Sequence, residues 1–109
     1  MSTQECIFCK FISNEIPVDK VYENDDVFVF PSHEPVAETH LLVLPKKHVA
    51  NFMSLDDLAL WDSMRQAMQQ LISAKNLDNS YKLVFNGGSY QHVPHLHWHL
   101  LGGKLTGHI

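Results

Sequence analysis

The stretch from residue 95 to residue 101 constrains the fold most, because it alternates histidine with apolar residues in the order HLHWHLL. In an extended strand, successive side chains point to opposite faces of the sheet. His95, His97 and His99 then share one face, whereas on a helix the same three side chains would spread around the axis. The alternation therefore predicts a strand with a row of imidazoles on one face. Such a row is typical of a metal site, of a nucleophile with supporting groups, or of a polar sheet edge.

The chain of 109 residues is long enough for one domain with one core and too short for two, so we expect a single domain over residues 1–109. The formal net charge is −4 with histidine neutral. This charge argues against a nucleic-acid partner, because such proteins normally carry a basic stripe. A local pocket of histidines and backbone amides can still hold a phosphate group within an acidic protein.

No apolar run reaches the roughly 18 residues that a membrane helix needs, and the N-terminus lacks the basic and apolar regions of a signal peptide. We therefore expect no membrane partner and a cytoplasmic location. In that compartment Cys6 and Cys9 are reduced thiols or metal ligands and do not form a structural disulfide.

Apolar periodicity predicts an α+β domain with a five-stranded, largely antiparallel sheet and one long and one short helix. The short helix covers residues 6–12 and turns four apolar side chains inward: Ile7, Phe8, Phe11 and Ile12. The predicted strands cover residues 21–23, 27–30, 40–44, 81–86 and 95–101, and the last of them is closed by Gly102 and Gly103.

The long helix is predicted to begin after Ser54, which is a typical N-cap residue with an acidic residue three positions later. Apolar residues then recur mostly at steps of three and four and form one stripe: Leu58, Trp61, Met64, Met68, Leu71 and Ile72. Asn76 is the predicted left-handed terminator. The stripe indicates a face packed on the core.

Four of the eight histidines fall within eight positions: His92, His95, His97 and His99. A neutral imidazole is a good nucleophile towards phosphorus when its other ring nitrogen holds the proton. Neighbouring imidazoles can position phosphate oxygens and donate hydrogen bonds to the charge that develops in the transition state. His97 lies in the middle of the row and is the predicted nucleophile. Its attack would give a phosphorylated or nucleotidylated histidine that water later releases.

The same stretch resembles the signature of the histidine-triad (HIT) family of nucleotide hydrolases and transferases, and it is most similar to the Hint branch. Other stretches are also similar to the family: residues 6–10, 15–17, 21–25 and 39–48, with Asn86 and the Gly102–Gly103 pair. The resemblance therefore covers the chain from Cys6 to Gly103. It implies a five-stranded antiparallel sheet with helices, and a homodimer in which two protomers join into one extended sheet.

The resemblance also implies roles for individual residues. His97 would attack the α-phosphorus of a purine nucleoside phosphoramidate or a related nucleotide, such as a derivative of AMP or GMP. His95 and His99 would support the attack, and His40 would lie beside them in a hydrogen-bond relay. Asn86 would contact the phosphate or the ribose, and four apolar residues would line a purine pocket: Ile7, Phe8, Phe28 and Leu42.

Three positions depart from the family pattern. Gln91 is followed by His92, where the family often has serine or threonine against the leaving group, and a histidine there can hydrogen-bond or act as an acid. Tyr90 replaces a glycine in a shortened loop, although a close backbone approach to phosphate favours glycine. Ser32 occupies the position of the family's ribose-binding acid. These departures predict altered contacts to phosphate and ribose.

Cys6 and Cys9 have the Cys-x-x-Cys spacing of half a zinc site, and no βαβ context supports a thioredoxin-like motif. The resemblance to zinc-containing relatives implies that His48 and His95 supply the other two ligands. Such a zinc ion would be structural, since four protein ligands leave no open position for chemistry. Free thiols are the alternative. No P-loop or Gly-x-Gly-x-x-Gly pattern occurs, so we expect no organic cofactor.

Three functions stay open beside phosphoramidate hydrolysis. The chain could be a nucleotide-binding module with little turnover, a dinucleoside polyphosphate hydrolase, or a protein that stores transition metals on its histidine row. Turnover that depends on His97 would favour the enzyme, and binding without turnover would favour the module. Several metal ions per chain would favour storage.

Overall fold

The computed structural model describes residues 6–107, so residues 1–5 and 108–109 of the predicted domain lie outside the described part. It contains two α-helices, α1 (Ile7–Ile12) and α2 (Leu58–Ala74), and two short 3-10 turns, Phe52–Ser54 and Gly88–Tyr90. The five strands are β1 (Tyr22–Glu23), β2 (Val27–Pro31), β3 (Ala37–Pro45), β4 (Tyr81–Phe85) and β5 (Trp98–Leu105). They form one sheet in the order β1-β2-β3-β5-β4, and every neighbouring pair is antiparallel. The predicted α+β fold class is confirmed.

Strand β3 lies at the centre of the sheet and is buried on both faces, which explains the continuous apolar run that predicts it. Leu41 and Val43 point to the face covered by α2, where they join the larger core cluster. Leu42 and Leu44 point to the opposite face, which α1 covers. Strand period two thus divides one apolar run between two cores.

Helix α2 begins at Leu58, because Asp57 is its N-cap and accepts a hydrogen bond from the Leu60 amide at 3.1 Å. The predicted Ser54 cap is wrong, since Ser54 lies in the preceding 3-10 turn. One predicted stripe residue is also misplaced, because Leu58 is 83 % exposed. Trp61 is 38 % exposed, but its ring packs on the buried Trp98 with a centroid distance of 5.5 Å. Leu58 precedes the buried Met64 by six residues, a rotation of about 240°, so it points away from the core. The buried face consists of Leu60, Met64, Ala67, Met68, Leu71 and Ile72.

The ends of both helices fall at asparagines in the left-handed region. Asn76 has a φ of 59° just after α2, as the sequence predicts, and Asn14 has a φ of 66° just after α1. In α1, Phe8 and Phe11 are buried as predicted. Ile7 is 43 % exposed, which contradicts its predicted inward orientation. No helix within residues 6–107 is long and apolar enough to span a membrane.

Strand β5 differs from its prediction at both ends. It begins at Trp98, which lies opposite Val43 of β3 and Phe85 of β4, so residues 95–97 precede the paired region. It continues through Gly102 and Gly103, which were expected to close it. Gly103 has a φ of 75° at a register shift between β3 and β5, and this bulge lets pairing resume at Leu105. A Cβ atom at Gly102 would lie 2.5 Å from the Leu77 side chain, so a glycine at position 102 leaves space for Leu77 to pack there.

Candidate active site

The face of the sheet under α1 carries a row of side chains that runs through the histidine motif. His99 lies opposite Leu42 of β3 on one side and Val84 of β4 on the other. Trp98 and Leu100 belong to the core on the opposite, α2-covered face. The predicted alternation of histidine and apolar residues is therefore present where β5 is paired, and it directs His99 towards the α1 side.

His97 has its proton on a known ring nitrogen. Its Nδ1 lies 2.7 Å from the backbone carbonyl oxygen of His95, and a carbonyl oxygen can only accept a hydrogen bond. Nδ1 therefore carries the hydrogen, and Nε2 presents a lone pair when the ring is neutral. Burial lowers the pKa of His97 below its ordinary value, which favours this neutral form. The ring thus has the protonation state that a nitrogen nucleophile needs.

His99 has the opposite arrangement, and a chain of three groups sets it. The Val36 backbone amide donates to Nδ1 of His40 at 3.1 Å, so a neutral His40 carries its proton on Nε2. That Nε2 lies 3.0 Å from Nδ1 of His99 and donates to it. A neutral His99 must then carry its own proton on Nε2. Burial, followed by the charges of His97, His40 and His92, lowers the pKa of His99 to about 4.

The two rings are neighbours with complementary roles. The centroids of His97 and His99 are 5.2 Å apart, with an angle of 63° between the ring planes. One ring offers a lone pair and the other offers an N–H group. A phosphate group presents an electrophilic phosphorus atom surrounded by acceptor oxygens, so it matches this pair of functions.

His95 belongs to a different cluster from the other two histidines of the motif. Its Nε2–H donates to the Pro45 carbonyl at 2.7 Å, so its Nδ1 is unprotonated in the neutral ring. That Nδ1 lies 3.3 Å from Sγ of Cys6 and 3.6 Å from Sγ of Cys9. His95 is 0 % exposed, whereas His97 retains 8 % of its accessible surface. His95 therefore faces the sulfur atoms and has no surface through which a substrate could touch it.

The four predicted metal ligands are brought together. The donor atoms of Cys6, Cys9, His48 and His95 all lie within 4.8 Å of one another, and Nδ1 of His48 is 3.4 Å from Sγ of Cys9. Sulfur and nitrogen ligands at tetrahedral angles around one zinc-sized ion would lie about 3.4–3.8 Å apart. The observed distances between sulfur and nitrogen agree with that value, and the tautomer of His95 directs a lone pair to the centre.

The electrostatics of the two thiols also fit a cation. Burial, together with the neighbouring Cys6 sulfur, raises the pKa of Cys9 to about 12. Without a positive charge nearby, the Cys9 thiol therefore keeps its proton at neutral pH. A bound metal cation removes that penalty, because it stabilises both thiolates.

The other predicted site residues lie around the two rings or hold loops. Phe8, Phe28 and Leu42 are buried together in the cluster under α1. The ring of Phe8 packs edge-on against His97, with a centroid distance of 5.0 Å. Asn86 directly follows β4 and is half-buried. His92 is exposed, and its charge contributes to the lowered pKa values of His97 and His99 after burial.

Two predicted substrate contacts have their side chains engaged within the protein. The amide nitrogen of Gln91 donates to the Ala50 carbonyl at 2.6 Å and to the Val93 carbonyl at 3.0 Å. Oγ of Ser32 accepts from the Glu34 amide at 3.2 Å, so it stabilises its own turn. Both side chains therefore shape loops beside the site.

Comparison with known proteins gives the class to which this sheet and its paired histidines belong. The family model described as the C-terminal binding domain of the scavenger mRNA decapping enzyme matches residues 5–109. A HIT-like protein of Chlamydia muridarum is 37 % identical over 107 residues, which cover 94 % of this chain and 85 % of the relative. The chain therefore belongs to the histidine-triad family.

A named enzyme and a solved structure are also similar. The adenosine 5'-monophosphoramidase HNT1 of Saccharomyces cerevisiae is 40 % identical over 98 residues, which cover 88 % of this chain and 61 % of that enzyme. A HIT family hydrolase from Clostridium thermocellum superposes with a TM-score of 0.89 at 31 % identity, covering 99 % of this chain and 98 % of that one.

Proposed function

We propose that this protein hydrolyses purine nucleoside 5'-phosphoramidates, such as those of AMP or GMP, through a covalent nucleotidyl group on His97. The observation that carries the proposal is the hydrogen bond from Nδ1 of His97 to the His95 carbonyl, which leaves Nε2 as a lone pair. The name of the Saccharomyces relative, an adenosine 5'-monophosphoramidase, supports the choice of substrate.

In the first step, the lone pair on Nε2 of His97 forms a bond to the α-phosphorus. The P–N bond of the substrate breaks, and its electron pair goes to the departing amine. The ring then carries a positive charge, which the hydrogen bond from Nδ1 to the His95 carbonyl stabilises. The amine nitrogen takes a proton from His92, the exposed histidine next to the two rings.

In the second step, water attacks the same phosphorus and returns its proton to His92. The bond between phosphorus and Nε2 breaks, and its electron pair goes back to the ring of His97. The nucleoside monophosphate leaves. In both steps Nε2–H of His99 donates to a phosphate oxygen on which charge develops, a role that requires the proton position set by His40.

The nucleotide is held by groups around this pair. In our proposal the purine lies against the edge of the apolar cluster formed by Phe8, Phe28 and Leu42. Asn86, at the end of β4, contacts the phosphate or the ribose. Ser32 and Gln91 contribute through the loops that they stabilise.

The experiment is mass spectrometry of the intact protein, quenched during turnover of a fluorogenic adenosine phosphoramidate. We expect a nucleotidyl adduct on His97 and a rate loss of at least about 10³-fold in His97→Ala. Ser73→Ala, which changes an exposed side chain on α2 across the sheet from the site, is the control. Activity that survives in His97→Ala would refute the proposal. Binding without turnover would indicate a nucleotide-binding module, and faster cleavage of a dinucleoside polyphosphate would indicate that substrate class.

For the second cluster, we propose one structural zinc ion per chain, held by Cys6, Cys9, His48 and His95. The ion would supply a cross-link between α1, the loop after β3 and the segment before β5. Elemental analysis should give one zinc per chain for the wild type and much less for Cys9→Ser. Several metal ions per chain would instead support metal storage. Because ligand cysteines must stay reduced, we also propose a cytoplasmic location, which cell fractionation tests.

We further propose a homodimer formed through β4. This strand pairs only with β5, so its other edge is free within the described sheet. Tyr81, Leu83 and Phe85 are exposed along it. A free, apolar strand edge is suited to pairing with a second copy, which would extend the sheet across both protomers. Sedimentation analysis should find a dimer for the wild type and a monomer for Leu83→Lys, with Lys104→Ala as the control for an exposed change on β5.

A further inference from the structure

The segment that presents His97, residues 95–97, precedes the ladder pairing of β5. Ladder pairing of β5 with β3 and β4 starts at Trp98. Before that residue, the described backbone hydrogen bonds are those of the His95 amide to Val93 at 2.8 Å and of the Leu96 amide to Val49 at 2.7 Å. The Leu96 amide and the His95 carbonyl belong to one planar peptide unit, so the bond to Val49 holds one side of that unit. The other contacts that position the carbonyl come from the His95 side chain.

The side chain of His95 provides those contacts at both ring nitrogens. Nε2 is fixed to the Pro45 carbonyl at the end of β3, and Nδ1 points at the sulfur atoms of Cys6 and Cys9. The ring is 0 % exposed. The same residue thus uses its side chain in the metal cluster and its carbonyl on the nucleophile.

A second contact joins the cluster to His97. Phe8 lies between the two cysteines in α1, and its ring packs edge-on against His95 at 5.9 Å and His97 at 5.0 Å between centroids. A helix of six residues is not stable by itself. The position of the Phe8 ring therefore depends on the contacts of the two cysteines and on the packing beneath α1, because these hold the helix in place.

We propose that the Cys6–Cys9–His48–His95 cluster positions the catalytic histidine. When the cluster is closed around zinc, the His95 carbonyl and the Phe8 ring fix the plane and the proton position of His97. When the cation is lost, His97 is free to rotate and to place its proton on either nitrogen. Phe8, Cys6, Cys9 and His48 are then positioning residues, and the loss of any of them lowers kcat. For Cys6, Cys9 and His48, which lie in the metal cluster, KM should be unchanged.

The rate measurement rests on the proposed function, but the ring state of His97 can be read without any substrate. Nitrogen-15 NMR of ring-labelled histidine reports which nitrogen of His97 is protonated. In the zinc-loaded protein we expect protonated Nδ1 and bare Nε2, and in the metal-free protein we expect an averaged signal. A signal for His97 that is identical in the two states would overturn the inference.

The kinetic test uses a matched pair of phenylalanines in the zinc-loaded protein. Phe8 and Phe11 are both in α1 and both 6 % exposed. Phe11 contacts the rings of Phe8, Phe30 and His33 and does not contact those of His95 or His97. We expect Phe8→Leu to lower kcat about tenfold, and Phe11→Leu to lose similar stability with normal kcat. Equal kcat in the two variants would contradict a positioning role for Phe8. Because both variants are measured with zinc bound, this comparison tests the inference even if the metal-free protein unfolds.

Outcomes for the two proposals are separable. If the loaded wild type shows no turnover and no adduct, the proposed hydrolase function fails, and the NMR comparison still decides the inference. If turnover is present and neither Cys9→Ser nor metal removal changes kcat in folded protein, the inference fails and the hydrolase function stands.

Discussion

Nε2 of His40 donates a hydrogen bond to Nδ1 of His99 across 3.0 Å, and the direction of this bond follows from the Val36 amide on the far side of His40. A backbone N–H can only donate, so it fixes the proton of His40 and, through it, the proton of His99. An ordinary main-chain group just before β3 thereby determines which atom of a site histidine is a donor.

This relay predicts a specific effect of His40 substitution. His40→Ala removes the donor to His99, whose proton is then free to occupy either ring nitrogen. We expect kcat to fall about 10–100-fold with KM little changed, as is usual when a group that orients a catalytic ligand is lost. His40→Gln, whose amide can still donate to His99, should recover part of the rate. Steady-state kinetics check this, and an equal loss in both variants would contradict the relay.

The lowered histidine pKa values predict how stability depends on pH. Burial lowers the pKa of His40 from an ordinary value of 6.5, and burial together with neighbouring histidine charges lowers that of His99 to about 4. Below pH 6.5 these two histidines bind more protons in the unfolded chain than in the folded protein. Stability should therefore be highest above about pH 6.5 and should fall as the pH drops towards about 4. Urea denaturation across this window measures it.

The variant His99→Asn and the behaviour of the Glu23 carboxyl group separate the histidine contribution to stability from acid denaturation in general. His99→Asn should show a shallower loss between pH 6.5 and about 4, with the exposed His33→Asn as control. Ion pairs with Lys20 and Lys46 lower the pKa of Glu23 from 4.5 to about 2, so its contribution disappears only at still lower pH. A stability that is flat down to pH 4.5 would contradict the prediction.

Local patterns in the sequence predict which side chains of a strand share a face of the sheet. Strand alternation correctly separates His99 from Trp98 and Leu100, because period two is a property of the extended chain itself. The start of β5 could not be predicted in this way, since it depends on where Val43 and Phe85, distant in sequence, offer pairing partners.

In the site, the distinctive side chains could be predicted from the sequence, and the backbone groups that bond to them could not. The cysteines and histidines of the second cluster are chemically distinctive, and the family resemblance names all four. The groups that set proton positions are the Val36 amide and the carbonyls of Pro45 and His95. Every residue carries such groups, so no side-chain pattern marks the ones that matter.

The helix cap gives a direct test of one correction. Ser54 and Asp57 are both good N-cap residues, and the 3-10 turn places Asp57 at the start of α2. Asp57→Ala should lower the free energy of unfolding by about 1 kcal/mol, whereas Asp57→Asn should retain most of it because asparagine also caps. Ser54→Ala is the comparison. A larger loss from Ser54→Ala, measured by urea denaturation, would show that the helix starts earlier.

Gly103 in β5 and Gly87 after β4 predict a contrast between two alanine substitutions. Gly103 has a φ of 75°, and a Cβ atom there would lie 2.9 Å from Cβ of Glu38, so Gly103→Ala should lose about 1–3 kcal/mol of stability. Gly87 has a φ of −136° and no atom within 4 Å of the added carbon. Gly87→Ala should therefore change stability by less than about 0.5 kcal/mol. Similar losses in both would argue against the bulge.

The exposed His92 predicts how the rate depends on the leaving group. If His92 protonates the departing amine, His92→Ala should slow cleavage of an alkylamine phosphoramidate by about 10²-fold or more, since such an amine needs its proton as the bond breaks. An aryl amine that leaves readily should be cleaved at nearly the wild-type rate, and the nucleotidyl adduct on His97 should still form from it. Ser89→Ala, in the neighbouring exposed turn, is the control. An equal loss of rate for both substrates would mean that His92 shapes the pocket and does not supply the proton.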